Sequence, residues 1–123
     1  MERMARSVLV VDDSAPFRGT ARALLEARGY RVVGAVARGG EALAAVEAMR
    51  PDAVLLDIHL PDADGIAVAG RLSGEGGPAV VLVSTVERAA LGSAVETCGA
   101  RGFLPKSDLG SPRLIDLLGP PAA

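Results

Sequence analysis

Apolar positions in this chain fall into five short runs, separated by stretches in which they recur every three or four residues. The runs are Val8 to Val11, Val32 to Val36, Ala53 to Leu56, Ala79 to Val83 and Gly102 to Leu104. They are dominated by Val and Leu, which predicts strands. The first, third and fourth are continuously apolar instead of alternating, as expected for strands covered on both faces of a parallel sheet.

The intervening stretches predict helices. Ser14 can cap the first, with Pro16 in its opening turn, and Phe17, Ala21, Leu24 and Leu25 keep helical spacing until Gly29 stops it. Glu41 to Met49 carries Leu43, Val46 and Met49 at a helical period, and the Arg50-Pro51 step ends it because Pro cannot continue the hydrogen-bond ladder. Ile66 to Leu72 is short and runs into SGEGG, Arg88 to Cys98 is mostly small residues, and Ser111-Pro112 opens a last helix with Leu114, Ile115, Leu117 and Leu118.

Strict alternation of strand and helix implies right-handed crossovers and a doubly wound five-stranded α/β sheet with helices on both faces. Ligands of such sheets bind in the crevice beyond the carboxyl ends of the strands. With 123 residues, half of them apolar, the chain suffices for one domain and one core. The closing GPPAA is expected to fray.

Composition narrows the function classes. The balance of 13 Lys and Arg against 15 Asp and Glu, without a basic run, gives no phosphate-backbone footprint, so direct binding to nucleic acid is not expected. One cysteine, Cys98, allows no internal disulfide. The opening MERMARS leads into only four apolar residues, which predicts neither a signal peptide nor a membrane span, and the expected compartment is the cytoplasm. Phe17, Tyr30 and Phe103 are the only aromatic residues, which leaves a flat cofactor little to stack on.

The residues that close the strands carry the chemistry. They are Asp12 and Asp13 after the first, Asp57 after the third, Ser84 and Thr85 after the fourth, and Lys106 after the fifth. Two carboxylates about 4 Å apart repel by about 4 kcal/mol at an effective dielectric near 20, so the Asp12-Asp13 pair needs a cation, a shared proton or open water. Three carboxylates, a hydroxyl and an ammonium at one edge can hold a hard divalent cation and a phosphoryl group together. Magnesium, which takes few protein ligands and favours phosphate oxygens, suits such a cleft better than calcium, and PDADG lacks the Glu an EF-hand loop would need.

The ordered set VVDDS, LLDIHLPDADG, VLVST and GFLPKS resembles the receiver domain of bacterial two-component response regulators over residues 6 to 118. That leaves residues 1 to 5 as an N-terminal extension and 119 to 123 as a flexible tail. The resemblance implies a flavodoxin-like sheet of order 2-1-3-4-5 with five helices. By position, Asp57 would be the phosphoacceptor, Asp13 and Asp57 direct metal ligands with the His59 backbone carbonyl, and Asp12 a ligand through water. Ser84 and Lys106 would bind phosphoryl oxygens, Ser84 and Phe103 would form the switch, and His59 and Val86 would tune the lifetime of the acyl phosphate.

The cofactor implied is Mg2+, with Mn2+ as a substitute, and the implied donor is a histidine kinase or a small acyl phosphate. The surface of the fourth helix, fifth strand and fifth helix would address a downstream protein or an output domain that the chain itself does not contain, with homodimerisation on phosphorylation, and no membrane is involved. The chain would be no enzyme beyond promoting transfer to, and loss from, its own Asp57. Two departures stand out: Phe103 lacks a phenol, and Ser107 follows Lys106 where many members of the family have Pro.

Simpler readings exist for each residue. Asp12 or Asp13 alone would cap a helix, Ser84 would bond at a strand end, and Phe103 and Cys98 would fill the core. Asp62 and Asp64 would solvate a turn closed by Gly65. Two other functions compete. A haloacid-dehalogenase-type phosphatase would put its nucleophile after the first strand with a second Asp two residues on, where this chain has Ser14. A phosphorylation-independent interaction module would keep the fold without needing the acidic pair, acceptor, hydroxyl and lysine together. The receiver reading requires Asp13, Asp57 and Lys106 to converge, with Asp57 open to solvent.

Overall fold

The computed structural model describes residues 5–85 and 92–121. Five strands, β1 (Ser7–Val11), β2 (Arg31–Val36), β3 (Ala53–Asp57), β4 (Ala79–Ser84) and β5 (Gly102–Pro105), form one parallel sheet in the order β2-β1-β3-β4-β5. The helices are α1 (Ala15–Ala27), α2 (Gly39–Met49), α3 (Gly65–Leu72), α4 (Ala94–Thr97) and α5 (Arg113–Leu118), with a 3-10 turn at Lys106–Asp108. Fold class, strand order and helix number agree with expectation.

Alternation along buried strands splits the core in two. Val8 and Val10 of β1 face Leu25 of α1 and Leu114 and Leu118 of α5, while Leu9 and Val11 face Ala42 of α2, Val68 and Leu72 of α3, and Val95 of α4. All of β1, β3 and β4 is buried. Each fully buried Leu or Val contributes roughly 1.5–3 kcal/mol, so the central strands dominate stability.

Boundaries follow local chemistry. Ser14 caps α1, its Oγ accepting the Phe17 N–H at 3.3 Å. The end of α2 falls at Arg50, which takes a left-handed φ of 46° before Pro51. The expected helix from Arg88 to Cys98 is seen as α4 over Ala94–Thr97; residues 86–91, and Val86 with them, lie outside the described residues. Among the described residues no peptide bond is cis, the Lys106-Ser107 bond included.

Residues 119–121 carry hydrogen bonds to the body of the domain. The Tyr30 hydroxyl donates to the Gly119 carbonyl at 2.5 Å, and the Arg6 N–H to the Pro121 carbonyl at 2.6 Å. Arg6 Nε donates to the Leu118 carbonyl at 2.6 Å, and Arg28 donates to the carbonyls of Gly110 and Ser111. The Leu118 and Gly119 carbonyls, at the end of α5, have no partner within the helix, and the Arg6 and Tyr30 side chains supply one.

Candidate functional site

Three strand ends bring the polar groups together. The Asp12 N–H donates to the Val36 carbonyl at 3.0 Å, extending the ladder of β1 by one residue. Asp12 Oδ1 then accepts the Ser14 N–H at 2.9 Å, and Arg18 Nη1 donates to the Asp12 carbonyl at 2.7 Å. Asp12 is thereby 0% exposed, whereas its neighbour Asp13 is exposed.

Asp57 is the last residue of β3, paired with Val83 of β4, and its Oδ1 accepts the His59 N–H at 3.1 Å. Gly65 lies directly against this turn: its N–H donates to the Ile58 carbonyl at 2.7 Å, and a Cβ there would stand 2.2 Å from the Asp57 carbonyl oxygen. Only glycine permits that approach.

Lys106 follows β5 and closes the site. Its Nζ lies 2.6 Å from Asp12 Oδ2 and 3.6 Å from Asp57 Oδ2. Asp12 Oδ2 is sealed from solvent and makes no hydrogen bond of good geometry, so this ion pair is what compensates it. The two adjacent like charges at the end of a buried strand are thus tolerated because one carboxylate meets an ammonium and the other meets water.

Burial is the largest influence on Asp57 and pushes its pKa up. The His59 N–H and Lys106 oppose the rise, while Asp12 and Asp13 add to it. At 4% exposure Asp57 is buried, against the expectation that it would be open to solvent, because it ends a strand covered on both faces; Asp13 is exposed.

One carboxylate oxygen from each of Asp12, Asp13 and Asp57 lies within 4.8 Å of the other two. An all-oxygen set of this kind fits a hard cation such as Mg2+. Of the three, Asp12 is the one paired with Lys106, its Oδ2 buried and 2.6 Å from the ammonium.

Ser84 is buried at the end of β4 opposite Pro105, one residue before Lys106, and Thr85 is exposed. Phe103 pairs with Leu82 and is 5% exposed, packed in the apolar cluster that includes Val95 of α4. The His59 side chain is exposed, and its backbone bridges to Asp64.

Three residues escaped the sequence reading. The Phe17 ring has its centroid 4.5 Å from Lys106 Nζ, Arg18 holds the Asp12 carbonyl, and Asp62 does not simply solvate its turn. Asp62 accepts the Gly39 and Gly40 N–H groups at 2.8 and 3.0 Å and so caps α2 from the β3–α3 loop; Asp64 caps α3 through the Ile66 N–H. Asp64 too was expected only to solvate its turn, although an Asp just before an apolar stretch is a local cap signal; Asp62 reaches across the fold.

Comparison with known proteins agrees with this geometry. The family model described as the response regulator receiver domain matches residues 8–118. The chain belongs to that family. The receiver domain is 36% identical over 108 residues to protein-glutamate methylesterase/protein-glutamine glutaminase 2 of Anaeromyxobacter dehalogenans, covering 84% of this chain and 32% of the relative. It is 35% identical over 106 residues to the virulence transcription regulator BvgA of Bordetella pertussis, covering 85% and 51%. This receiver domain therefore spans about half or less of the length of these curated relatives.

Among solved structures, the signal receiver domain of the response regulator NarL from Mycobacterium tuberculosis superposes with a TM-score of 0.79 at 32% identity, covering 92% of this chain and 96% of that one. The receiver domain of RstA from Klebsiella pneumoniae gives 0.81 at 26%, covering 92% and 98%.

Proposed function

We propose that this receiver domain is a phosphorylation switch in which Asp57 accepts a phosphoryl group from a histidine kinase or a small acyl phosphate. The supporting observation is the convergence of three strand ends: Lys106 Nζ lies 3.6 Å from Asp57 Oδ2, and the carboxylates of Asp12, Asp13 and Asp57 lie within 4.8 Å of one another. A new P–O bond forms to a carboxylate oxygen of Asp57 as the donor's P–O or P–N bond breaks, and the bonding pair leaves with the donor. No general base is needed, because the ionised carboxylate is itself the nucleophile.

Asp13, Asp57 and the His59 carbonyl would hold Mg2+, or Mn2+ in its place, with Asp12 as a ligand through water. The cation supplies charge neutralisation to a phosphoryl group entering among three carboxylates. Lys106 gives up part of its contact with Asp12 to pair with a phosphoryl oxygen, and Ser84 donates to another.

Phosphorylation adds a charge of roughly -1.5 to -2 to the crevice. The response runs through Ser84 and Phe103 to the face formed by α4, β5 and α5, which then binds a protein target, a linked output domain or a second copy of the chain. Moving a 1:99 population to 99:1 takes about 5.5 kcal/mol of differential stabilisation, which sets what the phosphoryl contacts to Lys106, Ser84 and the cation must supply for full activation. The chain catalyses nothing beyond transfer to, and loss from, its own Asp57, and works in the cytoplasm; His59 and, as the family resemblance implies, Val86 would tune the lifetime of the acyl phosphate.

Intact-mass measurement after incubation with acetyl phosphate and Mg2+ tests the reading. Wild type is expected to gain one phosphate and Asp57→Asn none. Uptake that persists in Asp57→Asn, or none in wild type, overturns it.

A further inference from the structure

Lys106 has a third neighbour that the acidic site does not account for. Besides Asp12 at 2.6 Å and Asp57 at 3.6 Å, its Nζ stands 4.5 Å from the centre of the Phe17 ring. A lysine head is a compact charge with three equivalent donors on a flexible stem, and with 17% of the side chain exposed it has an open route to water. Two carboxylates attract such a charge without fixing its direction. The face of an aromatic ring does fix it, because its quadrupole draws a cation towards the ring normal within about 6 Å of the centroid.

The ring is itself held in place. The Phe17 N–H is bonded to the Ser14 cap at 3.3 Å, and the side chain packs against the apolar cluster shared by α1 and α5. One side of Phe17 belongs to the core and another meets the ammonium. A residue serving only the core could equally be Leu, and Leu would leave the ammonium without that wall.

We propose that Phe17 is a positioning residue for Lys106: its ring holds the ammonium over the Asp12 and Asp57 carboxylates and so sets the rate at which Asp57 takes up a phosphoryl group. The part about rate rests on the reading of Asp57 as phosphoacceptor. The part about the ammonium does not.

The test combines Phe17→Leu with 4-fluoro-, 3,5-difluoro- and pentafluorophenylalanine introduced at position 17, which weaken and then reverse the ring quadrupole at nearly constant size. Three quantities are measured on the whole chain: the melting temperature, the NMR shifts of the Lys106 side chain without any donor, and the rate of uptake from acetyl phosphate with Mg2+ by intact mass. The Lys106 methylene protons next to the nitrogen are expected to show a ring-current shift in wild type that is lost in Phe17→Leu. Uptake is expected to slow by about two- to tenfold in Phe17→Leu, and stepwise along the fluorinated series without a matching fall in melting temperature.

A flat rate across the fluorinated series, or a Lys106 shift that Phe17→Leu leaves unchanged, overturns the proposal. Should Phe17→Leu fail to fold, the fluorinated series decides alone. A wild-type protein that takes up no phosphate overturns the reading of Asp57 instead, and the donor-free Lys106 shift still decides whether Phe17 holds the ammonium.

Discussion

Asp62 closes a helix that begins 23 positions earlier: its Oδ1 accepts the Gly39 N–H at 2.8 Å, and its Oδ2 takes the Gly40 N–H at 3.0 Å. A carboxylate at a helix N-terminus satisfies orphan donors and complements the dipole. Here it also fastens the loop that carries His59 to α2.

The same two bonds predict a pH dependence. The Gly40 and Gly39 N–H groups, in that order, hold the Asp62 pKa below its ordinary value. A depressed pKa in the folded state gives stability that is fully present above the unfolded value and is lost as pH falls through the folded one. Asp62→Ala is therefore expected to melt lower than wild type at neutral pH, with the gap closing as acid protonates Asp62. Thermal melts of both proteins from pH 7 downward check this; a gap that stays constant would sink it.

Gly65 and Gly19 should respond in opposite ways to the same change. A Cβ at Gly65 would meet backbone atoms, the Asp57 carbonyl oxygen at 2.2 Å and Ile58 Cα at 2.6 Å, which no rotamer change relieves. Gly65→Ala is expected to cost about 1–3 kcal/mol and to reduce phosphoryl uptake by displacing Asp57. Gly19, inside α1, would meet nothing within 4 Å, so Gly19→Ala should stabilise by roughly 0.5–1 kcal/mol. Denaturant titration of the two variants measures both signs.

Tyr30 joins β2 to the end of α5. Removing its hydroxyl in Tyr30→Phe breaks the 2.5 Å bond to the Gly119 carbonyl and should cost about 0.5–1.5 kcal/mol. Burial raises the phenol pKa above 10.0, with Arg6 and Arg28 opposing. A raised folded pKa gives stability that is complete below the unfolded value and is lost as pH rises through the folded one. Wild type should accordingly lose stability above about pH 10 more steeply than Tyr30→Phe, as alkaline melts would show.

Mg2+ should raise the melting temperature, since a ligand that binds only the folded state stabilises it by about 2.7 kcal/mol at a hundred times its Kd. Asp13→Ala removes an exposed member of the acidic cluster and should abolish most of that shift while costing little without the ion. An equal Mg2+ shift in both proteins would argue against the site. Differential scanning calorimetry with and without Mg2+ reads it directly.

By itself the sequence determined the sheet, its parallel sense and the list of strand-end residues. Runs such as Val8 to Val11 and Ala53 to Leu56 are too apolar for a half-exposed strand, and the polar residues that end them can only gather at one edge. Periodicity also placed α1, because its cap, proline and apolar spacing are all local.

Only the tertiary structure decided which of those residues touch. That Lys106 sits on Asp12 more closely than on Asp57, that Phe17 forms its wall and that Asp62 caps α2 all depend on side chains from separate elements meeting in space. The burial of Asp57 and the fastening of residues 119–121 are of the same kind. Local pattern encodes which face of an element is apolar, whereas pairing between distant polar groups is set by the packing that brings those faces together.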